Sequence, residues 1–314
     1  MTAPRAARVI CVALNPALDI TYVGEHFAVG EANRVGQVHA HAGGKGVNVA
    51  RLLQQAGRPV LVTGFAGGRV GEEIRDHLDE WQLPHHLVRC AGSSRRTVSV
   101  FSAAEGRATA YYENGPPITA AEWSCFAGIF REHTRRADAV VLSGSLSAGL
   151  HVDSYRRLAE VAASSEVFLD VHGAPLRAAL VAKPTLVKPN EHELADAFGL
   201  PLPVSLAAAV GAARGLLAGG AQSVVVSLGT RGLLAVLPDF TLLATPPQVP
   251  GNPVGAGDAA LAALVDGHLA ARPWPERLRS AAAVSAAAVR QHVAGVVHAS
   301  DVAELQKLVT VREP

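Results

Sequence analysis

The stretch Gly251-Asn252-Pro253-Val254-Gly255-Ala256-Gly257-Asp258 joins backbone freedom to a single carboxylate, just ahead of an apolar run from Ala259 to Ala271 that reads as a helix. Glycines before a helix let the backbone come close to a ligand. The first amides of that helix have no internal partners and point outward. With the helix dipole they make a site for an anion, phosphate above all. A carboxylate repels phosphate, so Asp258 suits such a site as the acceptor of a proton from a hydroxyl that attacks phosphorus. The octapeptide leaves a second reading open, in which Asp258 is only the helix N-cap.

Other polar signatures recur where strands end or helices begin. Ala42-Gly43-Gly44-Lys45-Gly46-Val47-Asn48 is a second glycine-led start, with Lys45 and Asn48 available to a polar ligand. It is not a Walker loop, because His39 stands where the first glycine belongs and Gly46 follows the lysine; nor does it match GxGxxG. Asn15-Pro16-Ala17-Leu18-Asp19 puts a carboxylate at the end of the first strand, where it reads as a ligand group or as a turn residue. Arg95 and Arg96 open a hairpin and read as a phosphate clamp or a solvated pair. In Lys188-Pro189-Asn190-Glu191-His192-Glu193, Asn190 and Glu193 are three apart. That pair suits Mg2+ held through water, or a capping Asn with a solvated Glu. Asp196 stands where a zinc protease needs its second histidine, and no GxSxG elbow occurs. His85 and His86 read as surface histidines in a polar connection.

The elements that must position these groups follow from hydrophobic pattern. Val9 to Leu14 is a buried strand. Ile20 to His39 reads as one or two strands, including Arg34-Val35. A helix runs to about Gln55 with Gly57 as its cap, followed by a strand at Pro59 to Phe65 and a helix at Gly71 to Trp81. Thr97 to Ser102 and Thr109 to Glu113 form a hairpin. From Ala120 onward helices and strands alternate: helices at Ala120–Thr134, Val152–Ala163 and Leu206–Leu217, and strands at Ala139–Leu142, Val167–Asp170, Thr185–Val187 and Ser223–Leu228. Leu233–Leu237 and Thr241–Ala244 read as a further hairpin, and helices at Pro275–Val293 and Asp301–Val309 close the chain. The alternation predicts an α/β fold with a mainly parallel sheet covered on both faces. The early hairpins do not fit that sheet and form a separate small layer, a lid over a site.

Composition narrows the partners. The 314 residues carry 28 Lys plus Arg against 27 Asp plus Glu, so no nucleic-acid footprint is visible. Cys11, Cys90 and Cys125 are far apart and odd in number, which fits a reducing cytoplasm rather than a disulfide framework. Met1 to Arg8 has no apolar core of a signal peptide. No apolar run reaches the ~18 residues of a membrane span. The expectation is a soluble cytoplasmic protein.

Taken together, the motifs resemble the PfkB, or ribokinase-like, family of sugar kinases from about Val9 to Val297, and within it the phosphosugar branch. Gly255-Ala256-Gly257-Asp258 is similar to the family's anion hole and catalytic aspartate. Gly43-Gly44-Lys45-Gly46 with Asn48 is similar to its sugar signature, and Lys188-Pro189-Asn190 with Glu193 to its nucleotide and magnesium motif. The resemblance implies a ribokinase-like three-layer α/β/α domain over 1–314 with a β-sheet lid from segments near 17–40 and 93–115. It implies Asp258 as base, with the amides of Gly255, Ala256 and Gly257 neutralising the transferred phosphoryl group. Asp19, Gly43, Gly44, Lys45 and Asn48 would hold the sugar, Arg95 its own phosphate, and Ser145 would line the same pocket. Lys188, Asn190, Ser227, Gly229, Gly232 and Val254 would lie along ATP, with Glu193 placing Mg2+. A homodimer through the lid is expected, with no nucleic-acid or membrane partner.

Pro253, Thr97, Ser147 and Asp170-Val171-His172-Gly173 depart from the branch's usual Ser or Thr, Asn, Pro and Asp-Thr-Ser-Gly. The expected reaction is ATP-dependent phosphorylation of a ketohexose phosphate, fructose 1-phosphate first, with tagatose 6-phosphate or fructose 6-phosphate as alternatives. A catalytically silent sugar- or nucleotide-binding regulator on the same fold is the alternative of another class.

Overall fold

The computed structural model describes residues 8–314; the expectation about the amino-terminal eight residues lies, apart from Arg8, outside them. Strand β1 (Val9–Ala13) is buried along its whole length. Val9, Cys11 and Ala13 enter one apolar cluster, and Ile10, Val12 and Leu14 the cluster on the opposite face. Two buried faces with a period of two are what a central parallel strand requires. After Asn15 and Pro16 the chain passes into β2 (Ala17–Gly24) and β3 (Gln37–Gly43). Then come α1 (Lys45–Gln55), β4 (Val60–Gly67), α2 (Gly68–Glu80), β5 (His85–Cys90), β6 (Arg95–Ser102) and β7 (Arg107–Tyr112). The alternating part follows with α3 (Ala120–Thr134), β8 (Ala139–Ser143), α4 (Ser154–Val161), β9 (Glu166–Asp170), α5 (Gly173–Ala179) and β10 (Leu186–Val187). It continues with α6 (Glu191–Phe198), α7 (Leu206–Ala218), β11 (Val224–Ser227), β12 (Leu233–Val236) and β13 (Thr241–Thr245). Helices α8 (Ala256–Leu269), α9 (Trp274–Val289) and α10 (Ala299–Gln306) precede β14 (Thr310–Arg312).

The large sheet has the order β14-β13-β12-β11-β10-β9-β8-β1-β4-β5. It is parallel from β11 to β5 and antiparallel from β11 to β14. Helices α1, α2, α8 and α9 supply the first apolar cluster, and α3 to α7 the second. Many of the buried side chains of α8 and α9 are alanines, whose small size lets two helices and the sheet approach closely. Helix α3 starts at Thr119 with a capping box to Glu122. A small sheet, β3-β2-β6-β7, stands apart. Its two antiparallel hairpins meet through the parallel pair β2 and β6. Among the described residues no helix is long and apolar enough to cross a membrane.

Several sequence expectations are corrected. His85 and His86 open β5 rather than a connection: His85 pairs in register with Val62, and Leu87, Val88 and Cys90 are buried. An edge strand tolerates such a polar start, and the rings find partners in Asp79 and His133. Asp19 is not at a strand end, because Ala17 resumes pairing directly after Pro16, in the second sheet. Arg34-Val35 lies outside any strand, β3 extends the small sheet to Gly43, and β14 was not anticipated.

Candidate active site

The chain builds outward from β1 to β4 and β5 on one side, then begins again at β8 on the other. Open α/β sheets bind ligands at such a reversal, outside the carboxyl ends of the strands. A cleft of about 1460 Å³ lies there, bounded by that edge and one face of the small sheet.

At the start of α8 the N-cap is Gly255, at φ 85°, so Asp258 is not the cap. Asp258 sits in the first turn, only 6% exposed, and its Oδ2 accepts from Asn48 Nδ2 at 2.8 Å. Ala256 donates its amide to the Pro253 carbonyl at 3.2 Å, which removes it from the set of free donors in this arrangement. No backbone carbonyl of the described residues accepts from the amides of Gly255 or Gly257. Pro253 does not disturb the turn, since Asn252 Oδ1 accepts from the Val254 amide at 3.1 Å. Burial, and then the nearby Asp170 carboxylate, push the Asp258 carboxyl up to about 7, against Lys45, Asn48 and Lys188. A group that ionises near neutrality beside free amides is suited to general-base chemistry on a hydroxyl.

At the start of α1, Gly44 takes φ 90° and donates its amide to Asp19 Oδ2 at 3.2 Å. Thr97 is paired beside Asp19 in the β2–β6 ladder. Burial raises the Asp19 pKa, opposed by His41, the Gly44 amide, Arg95 and Thr97. Gly43 is the one sequence-predicted site residue that does not line the cleft. A Cβ there would fall 1.9 Å from Asp19 Oδ2, so Gly43 makes room for the carboxylate. Arg95 donates from Nε to the Asn15 carbonyl at 3.2 Å and from Nη1 to Thr97 Oγ1 at 3.4 Å. Ser145 Oγ accepts from Asn15 Nδ2 at 3.0 Å. Ser147 Oγ donates to the Leu14 carbonyl at 2.8 Å, fastening the turn after β8 to the end of β1.

Across the cleft, Asp170 at the end of β9 lies between two lysines. Lys45 Nζ is 2.8 Å from Oδ1 and Lys188 Nζ 3.0 Å from Oδ2. Burial alone would raise the Asp170 pKa, but Lys188 and Lys45 outweigh it and hold the group below its ordinary range. Lys45 also reaches Glu193 Oε1 at 3.3 Å. Burial works against its charge, yet Asp170, Glu193 and Asp258 together keep the ammonium above its ordinary pKa. The sequence expected Lys45 at the sugar; in this arrangement its amine joins α1 to Asp170 at the end of β9 and to Glu193 of α6. Asn190 and Glu193 form a capping box on α6, with Glu193 N to Asn190 Oδ1 at 2.8 Å and Asn190 N to Glu193 Oε2 at 2.9 Å. Ser227 bridges to Asn190. Gly229 and Gly232 take φ 60° and 99° at the turn beyond. His172 Nδ1 is 3.7 Å from Glu193 Oε1.

For a divalent metal, no group of three or more His, Cys, Asp and Glu with suitable placement occurs among the described residues. Both oxygens of Glu193 are already engaged, Oε2 by the Asn190 amide and Oε1 by Lys45 Nζ. The donor set therefore fits an ion that keeps most of its water, as Mg2+ does, and not an all-protein cage.

Six residues matter here to which the sequence analysis assigned no role. Asp170 carried a signal, a carboxylate ending an apolar strand. Asn15 opened the motif that ends in Asp19. His41 and the α9 wall of Ala282, Ser285 and Ala286 carried none, since helix faces and ladder partners are set by tertiary packing.

Unpaired helix-start amides close in sequence to a near-neutral carboxyl suit transfer of a phosphoryl group to a hydroxyl. Residues 10–299 match the description "pfkB family carbohydrate kinase", and the chain belongs to that family. Solved structures agree along nearly the whole chain. A Thermotoga maritima protein described as a possible 1-phosphofructokinase superposes with a TM-score of 0.89 at 25% identity, covering 98% of this chain and 99% of that one. Escherichia coli phosphofructokinase-2 in a tetrameric inhibited form gives 0.86 at 26% identity, with 96% and 98% covered. The same enzyme in complex with fructose-6-phosphate gives 0.84 at 25% identity, again with 96% and 98% covered.

Proposed function

We propose that this kinase moves the γ-phosphoryl group of ATP to a hydroxyl of a ketohexose phosphate, with fructose 1-phosphate, giving fructose 1,6-bisphosphate, as its substrate. The observation that carries the phosphosugar reading is Arg95. It is partly buried in the cleft, its hydrogen-bond partners are a neutral carbonyl and a neutral hydroxyl, and no carboxylate of the described residues lies within ion-pair distance. A guanidinium in that position matches a substrate's own phosphate.

On this reading Asp258 takes the proton of the attacking hydroxyl as its oxygen approaches phosphorus in line. The amides of Gly255 and Gly257 face the transferred group, and Ala256 joins them once its turn bond to Pro253 is released. Asp19, Gly44 and Asn48 orient the sugar, Gly43 keeps space for Asp19, and Ser145 borders the phosphate end. Lys188, Asn190, Ser227, Gly229, Gly232 and Val254 follow the nucleotide. Lys45 bridges both ends. Glu193 would hold Mg2+ through water, and a bound ion there would supply positive charge against the phosphates. The small sheet acts as a lid that excludes water as a competing acceptor. Its outer face is apolar, with Val38 and Tyr111 more than half exposed, and supports a homodimer through the lid. The three cysteines are unpaired, in keeping with a cytoplasmic setting. A second reading, phosphorylation of fructose 6-phosphate or tagatose 6-phosphate at the 1-hydroxyl, is favoured by the similarity to the fructose-6-phosphate complex.

The test is ADP release with Mg-ATP and fructose 1-phosphate, fructose 6-phosphate, tagatose 6-phosphate or free fructose. Highest kcat/KM with fructose 1-phosphate supports the first reading. Arg95→Ala is expected to raise the phosphosugar KM on the order of 10–100-fold with little change for ATP. Preference for free fructose, or equal effects of Arg95→Ala on both substrates, removes the phosphate assignment.

A further inference from the structure

A phosphate monoester carries about −1.5 to −2 charge and three strong acceptor oxygens, more than one guanidinium can satisfy. Arg95 is the only arginine among the described residues that line the cleft. Its Nε and one hydrogen of Nη1 are already given to the Asn15 carbonyl and Thr97 Oγ1. The two lysines of the cleft, Lys45 and Lys188, are bound to Asp170. Further donors at this corner must come from neutral side chains. Ser145 supplies one: its Oγ accepts from Asn15 Nδ2, and that bond leaves its own hydrogen free.

Tyr112 is a second. It ends β7 and stands directly opposite Thr97 in the antiparallel β6–β7 ladder, and Thr97 stands opposite Asp19 of β2. Residues directly opposite in a ladder project from the same face of the sheet. Asp19, Thr97 and Tyr112 thus form one row, and all three line the cleft, whereas Tyr111 on the other face does not. Tyr112 is 67% exposed, and no hydrogen bond to its hydroxyl occurs among the described residues. Burial works against the Arg95 charge, while Asp19, Tyr112 and Glu113 are the groups close enough to favour it, which places the phenol within electrostatic range of the guanidinium. Glu113 has nothing to donate to an anion, and its Oε2 accepts from the Arg96 amide at 2.8 Å.

We propose that the Tyr112 hydroxyl donates a hydrogen bond to the sugar's own phosphate, beside Arg95, which makes Tyr112 a specificity-determining residue for phosphorylated over free sugars. The proposal rests on the phosphosugar reading above. An ordinary phenol keeps its proton up to about pH 10, so it donates to an anion across the working range. Hydrogen bonds to an ionised acceptor are shorter than neutral ones and roughly twice as strong. A free sugar offers no anion at that end, and the exposed phenol then stays in water at little cost. Tyr112 therefore adds to binding only when the phosphate is present. Because β7 belongs to the small sheet, the same bond ties the lid to a phosphorylated substrate.

The experiment is steady-state kinetics of wild type, Arg95→Ala and Tyr112→Phe with the preferred ketohexose phosphate and with the same ketohexose unphosphorylated. Tyr112→Phe keeps the ring and removes only the O–H, at an exposed position where thermal melting should match wild type. The expected result is a phosphosugar KM raised roughly tenfold in Tyr112→Phe, kcat within about threefold, an unchanged ATP KM and an unchanged kcat/KM for the free sugar. The preference for the phosphorylated sugar shrinks by the same factor. An unchanged phosphosugar KM, an equal loss with the free sugar, or an equal rise for ATP overturns the proposal. If wild type uses the free sugar as well as the phosphosugar, the phosphosugar reading fails and the Tyr112 assignment with it. If wild type prefers the phosphosugar and Arg95→Ala loses that preference while Tyr112→Phe matches wild type, the reading stands and the Tyr112 assignment alone falls.

Discussion

A methyl group added at Gly46 would sit 2.5 Å from the carbonyl oxygen of Val12, whereas one added at Gly257 meets nothing nearer than Lys188 Nζ at 3.4 Å. Both glycines lie in the first turn of a glycine-led helix, α1 and α8 respectively. At α1 the absent side chain lets the helix press onto β1, so the glycine serves packing. At α8 the space beside Gly257 belongs to the cleft, so the glycine keeps cleft space open. Two similar strings of letters answer to different constraints, and only the contacts separate them. The helices are also joined, because Asn48 of α1 donates to Asp258 of α8.

The largest expected effect tests whether the α8 start is the chemical one. Asp258→Ala should lower kcat about 10³-fold or more while sugar affinity stays within a few-fold. Near-normal turnover would remove the base assignment. Gly257→Ala should melt close to wild type and lose roughly 10²-fold in kcat/KM, because a methyl group blocks approach to the amide. Gly46→Ala should do the reverse, losing on the order of 1–3 kcal/mol in denaturant unfolding, with residual folded enzyme keeping its KM for both substrates. If the two variants behave alike, the contrast between the two starts is wrong.

Acidity sharpens the contrast further. With the Asp258 carboxyl near 7, kcat/KM should fall about tenfold per pH unit below that value. Asn48→Ala removes a donor that favours the ionised form, so the acid limb should move upward, by about half a unit or more. Stability carries the same signature. The folded-state pKa of about 7 lies above the ordinary 3.8, so the folded protein keeps a proton that the unfolded chain loses between those values. Stability therefore falls as pH rises through that window and stays lower above it. Asp258→Asn should accordingly be more stable than wild type at pH 8, on the order of 3 kcal/mol, and nearly equal to it near pH 4. An unaltered difference across that range would contradict the pKa.

Legibility in the sequence followed the range of the forces involved. Helix α3 was read to the residue, because a Thr119–Glu122 capping box and an apolar face are local. The glycine-led starts and the alternation from Ala120 onward were equally local. Strand β5 was missed because its first residues are polar and its support comes from β4, distant in the chain. The N-cap alternative for Asp258 survived in the sequence and ended only with the geometry of Gly255. The Lys45 motif located a Cα only, while four methylenes carry the amine to Asp170 and Glu193. His41 was silent for a related reason: its meaning comes from facing Asp19 across a ladder.

Only Leu14, Asn15 and Pro16 separate β1 from β2, and Gly44 alone separates β3 from α1. The chain crosses between the two sheets again near 91–94 and 113–117. Asn15, Pro16, Gly44, Asn114 and Gly115 all border the cleft. The joints about which the small sheet would swing are thus the same atoms that would touch substrate. Such a protein has few independent degrees of freedom for selection or design. A substitution that loosens the joint also reshapes the pocket, and one that retunes the pocket also resets the joint. Variants with altered substrate choice should therefore tend to arrive with altered turnover, and the two properties would be uncoupled more readily from residues behind these crossings than at them.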